Sequence, residues 1–294
     1  EWPFGAVEAA RRQRETAKKC GLPVETAIDV GGGVKLELVL IPPGDFVMGA
    51  SESPEEVSRK RRDASDDTNE FIRGWCKNEH PQHNVRITKA FYMGKFEVTQ
   101  KQWERVMGNN PSDFRGDQNP VECVSWKDCQ QFLRKLNEIV RGQGTFELPT
   151  EAQWEYACRA GTATPFYTGE TISSDQANYR GDLVYGNGAK GQFRQKTMAV
   201  GSFKPNAFGL YDMHGNVWEL CQDRYGEDYY EQSPKDNPTG PSTGESRVVR
   251  GGGWDCAPSA VRSVHRNYTA PDGPERNDCG FRIILVPPDK SIRR

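Results

Sequence analysis

Cys256 is the residue whose possible chemistry depends most on its neighbours. It lies in a segment that runs from Arg250-Gly-Gly-Gly-Trp254 to Gly280-Phe-Arg282. Two thiolates can hold copper(I) between them, because this soft metal prefers soft sulfur ligands. No cysteine occurs between Cys256 and Cys279, so the segment offers Cys256 no second thiol close to it in the sequence. The segment therefore lacks a local pair of thiols for a soft metal, and this favours a binding surface.

The same segment is rich in aromatic and short polar side chains and poor in aliphatic ones. Such side chains on a rigid frame are typical of adaptable recognition surfaces, as in antibody loops. If the two ends of the segment pair as neighbouring core strands, the residues between them face outward. The candidate ligand-binding residues are Trp254, Asp255, Cys256, His265, Asn267, Tyr268, Thr269, Asn277 and Asp278.

A second group of polar residues lies in a Gly-containing turn. Asp212, Asn216 and Glu219 carry side-chain oxygens there, and calcium prefers several oxygen ligands, including backbone carbonyls. Turns of this composition are also common where no metal binds. His80 and His83 are a weaker metal candidate, because the proline between them favours an extended segment over one helical face.

Capping residues and hydrophobic spacing predict the elements that position these groups. Thr99, Ser125 and Thr150 each precede a helical segment. Alternating apolar residues predict strands over 34–41, 45–48 and 85–93. We expect a helix and linker over 1–30, which either lies solvated on the main domain or binds a partner, followed by one domain over 31–290. The charged stretch within 50–79 is typical of a surface insertion.

Composition argues against nucleic-acid binding and against a membrane span. The 294 residues include 39 basic and 41 acidic side chains, without the basic excess expected of a nucleic-acid-binding protein. The best apolar run is of strand length, so we expect no membrane span.

The eight cysteines are free buried thiols or, if the protein is exported, include a few disulfides. The missing initiator methionine is compatible with a removed leader, and we expect an exported or cell-surface bacterial-type protein rather than a cytoplasmic one.

Several motifs occur together and in one order. They are Ile41-Pro-Pro-Gly-Asp-Phe-Val-Met-Gly49, Glu97-Val-Thr-Gln-Lys-Gln-Trp103, Pro120-Val-Glu-Cys-Val-Ser-Trp126, Leu148-Pro-Thr-Glu-Ala-Gln-Trp-Glu-Tyr-Ala157, Gly209-Leu-Tyr-Asp-Met-His-Gly-Asn-Val-Trp-Glu219, Arg250-Gly-Gly and Gly280-Phe-Arg282. This set resembles the formylglycine-generating enzyme (sulfatase-modifying factor) family over about residues 31–287. The resemblance implies an α+β, C-type-lectin-like fold, loop-rich, with short twisted strands and two main helices.

The resemblance also implies metal sites. In the family, a calcium site falls on the turn noted above, with side-chain ligands at Asp212 and Glu219 and carbonyl ligands at Gly215 and Val217. A second calcium site aligns with Asn178 and Tyr179, although Gln192 stands where an acidic ligand is expected. We expect calcium, if present, to be structural.

The family's enzymes oxidise a sulfatase cysteine with oxygen and copper(I), which two cysteines five positions apart hold. Here Cys256 matches the first position and the second is absent, so copper is expected only if the protein is an oxidase after all. Related iron-dependent sulfoxide synthases carry an additional helical domain, which this sequence lacks. Catalysis by Cys256, or by a non-haem iron, is therefore the alternative to binding.

A subset of the family resembles the variable proteins of diversity-generating retroelements, in which NNC-encoded residues fill the binding surface. The candidate residues other than Trp254 fit that set, and so does Cys279. The hypothesis is a non-catalytic protein that binds a protein or other macromolecular ligand through residues 254–279. An ordinary non-catalytic member of the family, with an incidental loop composition, explains the same residues.

Overall fold

A computed structural model of the chain describes residues 1–61, 74–273 and 276–288. The helices are α1 (Ala6–Cys20), α2 (Pro54–Lys60), α3 (Gln100–Met107), α4 (Trp126–Ile139) and α5 (Glu151–Arg159). The strands are β1 (Glu25–Asp29), β2 (Lys35–Ile41), β3 (Gly44–Met48), β4 (His83–Ile87), β5 (Phe91–Gly94), β6 (Thr145–Glu147), β7 (Trp218–Arg224), β8 (Arg247–Arg250), β9 (Asn267–Thr269), β10 (Cys279–Gly280) and β11 (Ile284–Val286). The predicted α+β class is confirmed.

The three helices predicted from their caps are present. Thr99, Ser125 and Thr150 each accept a hydrogen bond from the backbone three residues on. In each case the side chain at that later position bonds back to the cap, so the helix start is satisfied from both sides. Helix α4 buries Phe132, among others, and packs against the first sheet.

A five-stranded sheet with the order β1-β2-β5-β11-β6 forms the first layer. Strand β2 confirms the predicted strand, and it pairs on one side with β1 over residues 25–29. Those residues belong to the stretch expected as linker, which is therefore joined to the domain by a ladder of hydrogen bonds. Helix α1 lies against the same body, where the Gln13 side chain donates to the carbonyls of Leu40 and Phe208 at 3.0 Å each.

A four-stranded sheet with the order β10-β7-β8-β9 positions the 254–279 segment. The condition under which the segment would face outward, pairing of its two ends, is not met, because β8 and β10 lie on opposite sides of β7. Residue Glu219 of β7 is opposite Arg250 in one direction and opposite Gly280 in the other. The segment therefore leaves and re-enters the core on either side of the first residues of β7.

The middle of that segment runs through the interior and not over the surface. Residues 261–266 are all buried, and they include two arginines. Each of four fully buried arginines forms an ion pair with a buried glutamate: Arg250 with Glu155, Arg262 with Glu79, Arg266 with Glu151, and Arg282 with Glu219. Because a buried charge is tolerated only when it is paired, these contacts fix the path of the segment.

The remaining sequence expectations concern the surface and the cysteines. The predicted insertion within 50–79 begins with α2, and its central residues, 62–73, lie outside the described ranges. Each helix within those ranges is too short or too polar to cross a membrane. All eight cysteines fall within the described ranges as free thiols, seven of them buried or partly buried.

Candidate functional site

A cavity of about 320 Å³ is lined by the start of β7, by three parts of the 254–279 segment, and by Arg61, Trp75 and Cys76. The lining residues with polar or aromatic chemistry include Trp75, Trp218, Asp255, Cys256, His265 and Asn267. We name it the Trp218 cavity. It is within the lower range of pockets that bind small molecules or single side chains of a partner.

The Cys256 thiol on the wall of this cavity is held in its protonated form. Its sulfur accepts a hydrogen bond from the Gly253 amide at 3.2 Å. Burial raises the pKa of the thiol, and the negative charge of Asp255 raises it further. A protonated thiol is a weak nucleophile and a poor metal ligand. Five residues on, Val261 is fully buried in an apolar cluster against which Cys256 packs.

A second thiol lines the Trp218 cavity from a distant part of the chain. Cys76 is buried, and its sulfur accepts a hydrogen bond from the Arg262 guanidinium at 3.3 Å. Burial raises the pKa of Cys76 to about 12. The neighbour considered from the sequence, Cys279, is buried on β10 and is not among the lining residues.

His265 is fixed by a buried carboxylate. Its Nδ1 lies 2.8 Å from Glu79 Oε1, and Glu79 also accepts two hydrogen bonds from Arg262 at 2.7 and 2.8 Å. Burial opposes ionisation of Glu79, but the charge of Arg262 and the bond from His265 bring its pKa down to about 2. Burial lowers the pKa of His265 in turn, more than Glu79 raises it. The imidazole is therefore neutral, with its proton on Nδ1 and a free lone pair on Nε2.

Aromatic rings surround His265. The Trp218 ring centroid lies 5.9 Å from that of His265, and the Trp75 centroid lies 6.1 Å from it. Trp218 is 2% exposed, whereas Trp75 is 42% exposed. The indole of Trp218 thus forms a wall of the cavity within the core, and the indole of Trp75 lies at its entrance.

Asp255 and Arg276 line another part of the cavity wall, and Asp278 lies next to them. Arg276 forms a two-pronged contact with Asp278, at 2.9 and 2.5 Å. Burial raises the pKa of Asp255, and both the charge of Asp278 and a hydrogen bond with it add to the effect. The like charge of Asp278 thus disfavours the ionised form of Asp255, and Arg276 supplies the counter-charge for Asp278.

The predicted ligand-binding residues divide into two groups. Asp255, Cys256, His265 and Asn267 line the Trp218 cavity, whereas Trp254, Tyr268, Thr269, Asn277 and Asp278 do not. Trp254 packs against Phe114 and Phe193 and donates to the Asn277 carbonyl at 3.0 Å.

Tyr268 and its neighbours form a separate surface. Tyr268 is 52% exposed on the edge strand β9 and lies over Tyr225, with a centroid distance of 4.5 Å. Asn267 and Thr269 flank it on the same strand and are half-buried. Asn267 joins this edge to the Trp218 cavity, because it also lines the cavity.

The residues of the first predicted calcium site do not form a free set of oxygen ligands. Both carboxylate oxygens of Glu219 accept from Arg282, at 2.6 and 2.7 Å, and one also accepts from Trp154 at 2.7 Å. Asp212 accepts from the Gly201 amide at 2.6 Å, and burial raises its pKa. The Gly215 and Val217 carbonyls lie in the same turn, but a cation bound there would face the positive charge of Arg282. The donor set therefore does not fit calcium with Glu219 as a ligand.

The second predicted calcium site has one available oxygen. The Asn178 amide nitrogen donates to Lys196 and Asn216 at 2.9 and 3.1 Å, and its Oδ1 is buried with no partner among the described residues. The Tyr179 carbonyl accepts from the Gly181 amide at 2.7 Å. One amide oxygen is well short of the six to eight oxygens that calcium takes.

The described ranges contain one group of three potential metal ligands, formed by Asp113, Glu122 and Cys123. The Cys123 thiol donates to Glu122 at 3.0 Å, and burial raises its pKa, so the sulfur keeps its proton. Asp113 is exposed and accepts from Asn277 at 3.3 Å. These bonds satisfy the group without an ion, and we assign it no metal.

Similarity to known proteins identifies the domain. The profile of the "Sulfatase-modifying factor enzyme 1-like domain" matches residues 34–286, which include every element from β2 to β11. The chain belongs to this family. The resemblance found in the sequence motifs is confirmed, and with it the fold of the sulfatase-modifying factor family.

Relatives of the sulfatase-modifying factor domain have diverse names. A formylglycine-generating enzyme of Streptomyces coelicolor is 36% identical over 189 residues, which cover 61% of this chain and 57% of that protein. Serine/threonine-protein kinase pkn1 of Chlamydia pneumoniae is 30% identical over 259 residues, covering 84% of this chain and 37% of that protein. Among solved structures, Treponema denticola variable protein 1 has a TM-score of 0.71 and 25% identity, covering 90% of this chain and 100% of that one.

The chain thus spans only about a third to somewhat over half of the length of these two curated relatives. What it has in common with them is the sulfatase-modifying factor domain. The activities in their names belong to those proteins as wholes.

Sequence reasoning missed three residues of the site. Glu79 and Cys76 lie more than 170 residues before the segment that they contact, and no local spacing connects them to it. Trp218 was noted only as part of a family motif. Arg262 and Arg266 could have indicated the buried glutamates. If a segment with arginines so close to apolar residues enters the core, those arginines need buried carboxylates as partners.

Proposed function

We propose that this sulfatase-modifying factor domain is a non-catalytic binding module whose ligand enters the Trp218 cavity. The observation that carries the proposal is Val261. It is a buried valine at the position five residues beyond Cys256, where the family's enzymes are expected to carry their second copper ligand. The protonated state of Cys256 agrees with this, because it lacks the thiolate that copper chemistry and nucleophilic attack both require.

The binding surface extends from the cavity along the edge strand β9. Tyr268 offers a large exposed aromatic face, and Asn267 connects that face to the cavity. Aromatic residues at the centre of an interface supply much of its binding energy. A cavity beside an exposed strand edge suits a macromolecular ligand that inserts one group and lays a segment alongside. Similarity to the Treponema variable protein supports the idea that the segment is diversified by a retroelement.

A random peptide library displayed on phage tests the proposal. We expect peptides that bind the wild type to lose binding to a variant with Asn267→Ala and Tyr268→Ala. They should still bind the control Val7→Ala, since Val7 is exposed on α1 and is absent from the cavity lining. The proposal is wrong if no peptide is enriched, or if the enriched peptides bind both variants equally.

Copper-dependent oxidation of a sulfatase cysteine is the second candidate. The observation in its favour is Cys76, which brings a second thiol to the same cavity. Similarity to the Streptomyces formylglycine-generating enzyme also supports it. Here Cys76 would have to replace the missing cysteine, and both thiols would have to lose protons that burial now retains.

Cys76→Ser and Cys256→Ser separate the two candidates. An oxidase requires the wild type to consume oxygen with a Cys-X-Pro-X-Arg peptide and both variants to be inactive. The binding proposal predicts no consumption by any of the three proteins. A non-haem iron oxidase would instead need added iron and would be insensitive to Cys76→Ser.

Calcium and location are further proposals. A calcium ion at the Asp212 turn would have to use Asp212 and carbonyl oxygens without Glu219, and we assign it no part in ligand binding. Export or display at the cell surface fits a protein that meets a macromolecular ligand, and a reporter fusion to the full-length gene would test it.

A further inference from the structure

Two nitrogen atoms beside the Trp218 cavity are buried without a hydrogen-bond partner among the described residues. They are His265 Nε2 and Trp218 Nε1, and both side chains line the cavity. Buried polar atoms in proteins nearly always have a partner, so such an atom indicates a position for a bound group. Two of them at one cavity define what that group has to offer.

The two nitrogens have opposite requirements. The Nδ1–H of His265 donates a hydrogen bond to Glu79, so Nε2 is an acceptor and needs a donor from the ligand. Glu79 is held in place by two bonds from Arg262, which keeps the imidazole in this tautomer. The indole Nε1–H of Trp218 is a donor only and needs an acceptor. A matching ligand carries a donor and an acceptor close together.

The donor and acceptor requirements together favour an uncharged ligand group. The Glu79 charge is compensated by Arg262, and His265 is uncharged. Arg276 pairs with Asp278, and Arg61 also lines the cavity. A carboxylate has no donor for His265 Nε2, and an ammonium has no acceptor for Trp218 Nε1–H, so an uncharged group that carries both a donor and an acceptor fits the two nitrogens.

We propose that the Trp218 cavity binds a primary carboxamide group, whose N–H donates to His265 Nε2 and whose carbonyl accepts from Trp218 Nε1–H. The indoles of Trp75 and Trp218 then contact a flat or apolar body attached to it. The proposal rests on the binding function proposed above and names the chemistry of its ligand. The carboxamide belongs either to an Asn or Gln side chain of a partner or to a small molecule.

Benzamide and its analogues test this with the full-length protein. Benzoate and benzylamine keep the ring and replace the amide by an anion or a cation, and acetophenone keeps the acceptor but has no N–H. Binding is followed through the indole signals in a ¹H–¹⁵N NMR spectrum, where Trp218→Phe assigns the Trp218 signal. We expect benzamide to shift that signal to saturation. Acetophenone, benzoate and benzylamine should bind about tenfold more weakly or worse, because each loses a hydrogen bond or brings an unpaired charge.

Trp218→Phe also measures the donor directly. It keeps an aromatic ring and removes the N–H, so we expect benzamide to bind about tenfold more weakly. Trp126→Phe is the matched control, because that indole donates to the Cys221 carbonyl at 3.1 Å and is absent from the cavity lining. It should leave the affinity unchanged. Thermal melting of both variants establishes that they are folded.

Two peptide probes, acetyl-glutamine-amide and acetyl-glutamate-amide, distinguish a carboxamide on a partner's side chain from one on a small molecule. Binding of the first and not the second supports an Asn or Gln side chain of a partner. The carboxamide proposal is overturned if benzoate or benzylamine binds as well as benzamide, if no compound shifts the Trp218 signal, or if Trp218→Phe leaves the affinity unchanged. In none of these cases is the binding function itself contradicted, since the peptide-library selection decides that separately.

Discussion

Glu79→Gln removes the carboxylate that both orients His265 and neutralises Arg262. Glu79 accepts bonds of 2.8, 2.7 and 2.8 Å, and none of the three side chains is more than 3% exposed. The substitution leaves the Arg262 charge buried without a counter-charge. Removing one partner of a buried ion pair typically destabilises a protein by about 3–5 kcal/mol. We therefore expect the free energy of unfolding to fall by about that amount.

Urea-induced unfolding measures this loss of stability, and two control substitutions test whether it comes from the buried charge. Asp272→Asn breaks the contact of Lys127 with Asp272, whose side chains are 64% and 61% exposed. It should cost less than about 1 kcal/mol, because exposed ion pairs contribute little. Adding Arg262→Met to Glu79→Gln removes the stranded charge and should restore part of the stability.

The reasoning is refuted if Glu79→Gln costs no more than Asp272→Asn. Water would then reach Arg262, and the tautomer of His265 would not be fixed by a buried carboxylate. The same result would remove the basis for treating His265 Nε2 as a free acceptor in the Trp218 cavity.

Four further predictions address other parts of the molecule. Burial, helped by the charge of Glu151, raises the pKa of Asp223 to about 8, so the folded state binds this proton more tightly than the unfolded chain, where the group titrates near about 4. The free energy of unfolding of the wild type should thus fall as pH rises from about 4 to about 8, and Asp223→Asn should remove that part of the decline. Val261→Cys should give the protein one tight copper(I) site with Cys256, measured by competition with a chromogenic chelator. Tyr268→Ala should leave the melting temperature nearly unchanged, whereas Trp254→Ala should lower it by several degrees, because that ring packs against two others. Adding about 1 mM calcium should shift the melting temperature by less than about 1 °C, and a rise of several degrees would indicate that calcium displaces Arg282 from Glu219.

Local signals in the sequence were sufficient for the helices and several strands. Thr99, Ser125 and Thr150 each stand three residues before a side chain that can bond back to the cap, so helix starts could be predicted from single positions. The alternation in β2 likewise reflects a strand with one face in the core.

Local sequence signals did not predict that the 254–279 segment runs through the interior. Arginines usually indicate a solvated surface, and here Arg262 and Arg266 are buried against glutamates that come from distant parts of the chain. The register of β7 between β8 and β10 is likewise a long-range property. Consequently four of the predicted ligand-binding residues line one cavity, but the sequence did not indicate that Cys76 and Trp218 line it too or that Glu79 contacts His265.

The central claim is that this domain binds a ligand in the Trp218 cavity, where Cys256 is protonated, and does not oxidise that ligand. Titration of the fully reduced protein with copper(I), coupled to oxygen consumption with a Cys-X-Pro-X-Arg peptide, tests it most directly. The account predicts no stoichiometric copper uptake and no peptide-dependent oxygen consumption by the wild type. Tight one-to-one copper binding with turnover, lost in both Cys256→Ser and Cys76→Ser, would contradict it and identify an oxidase with a relocated second ligand.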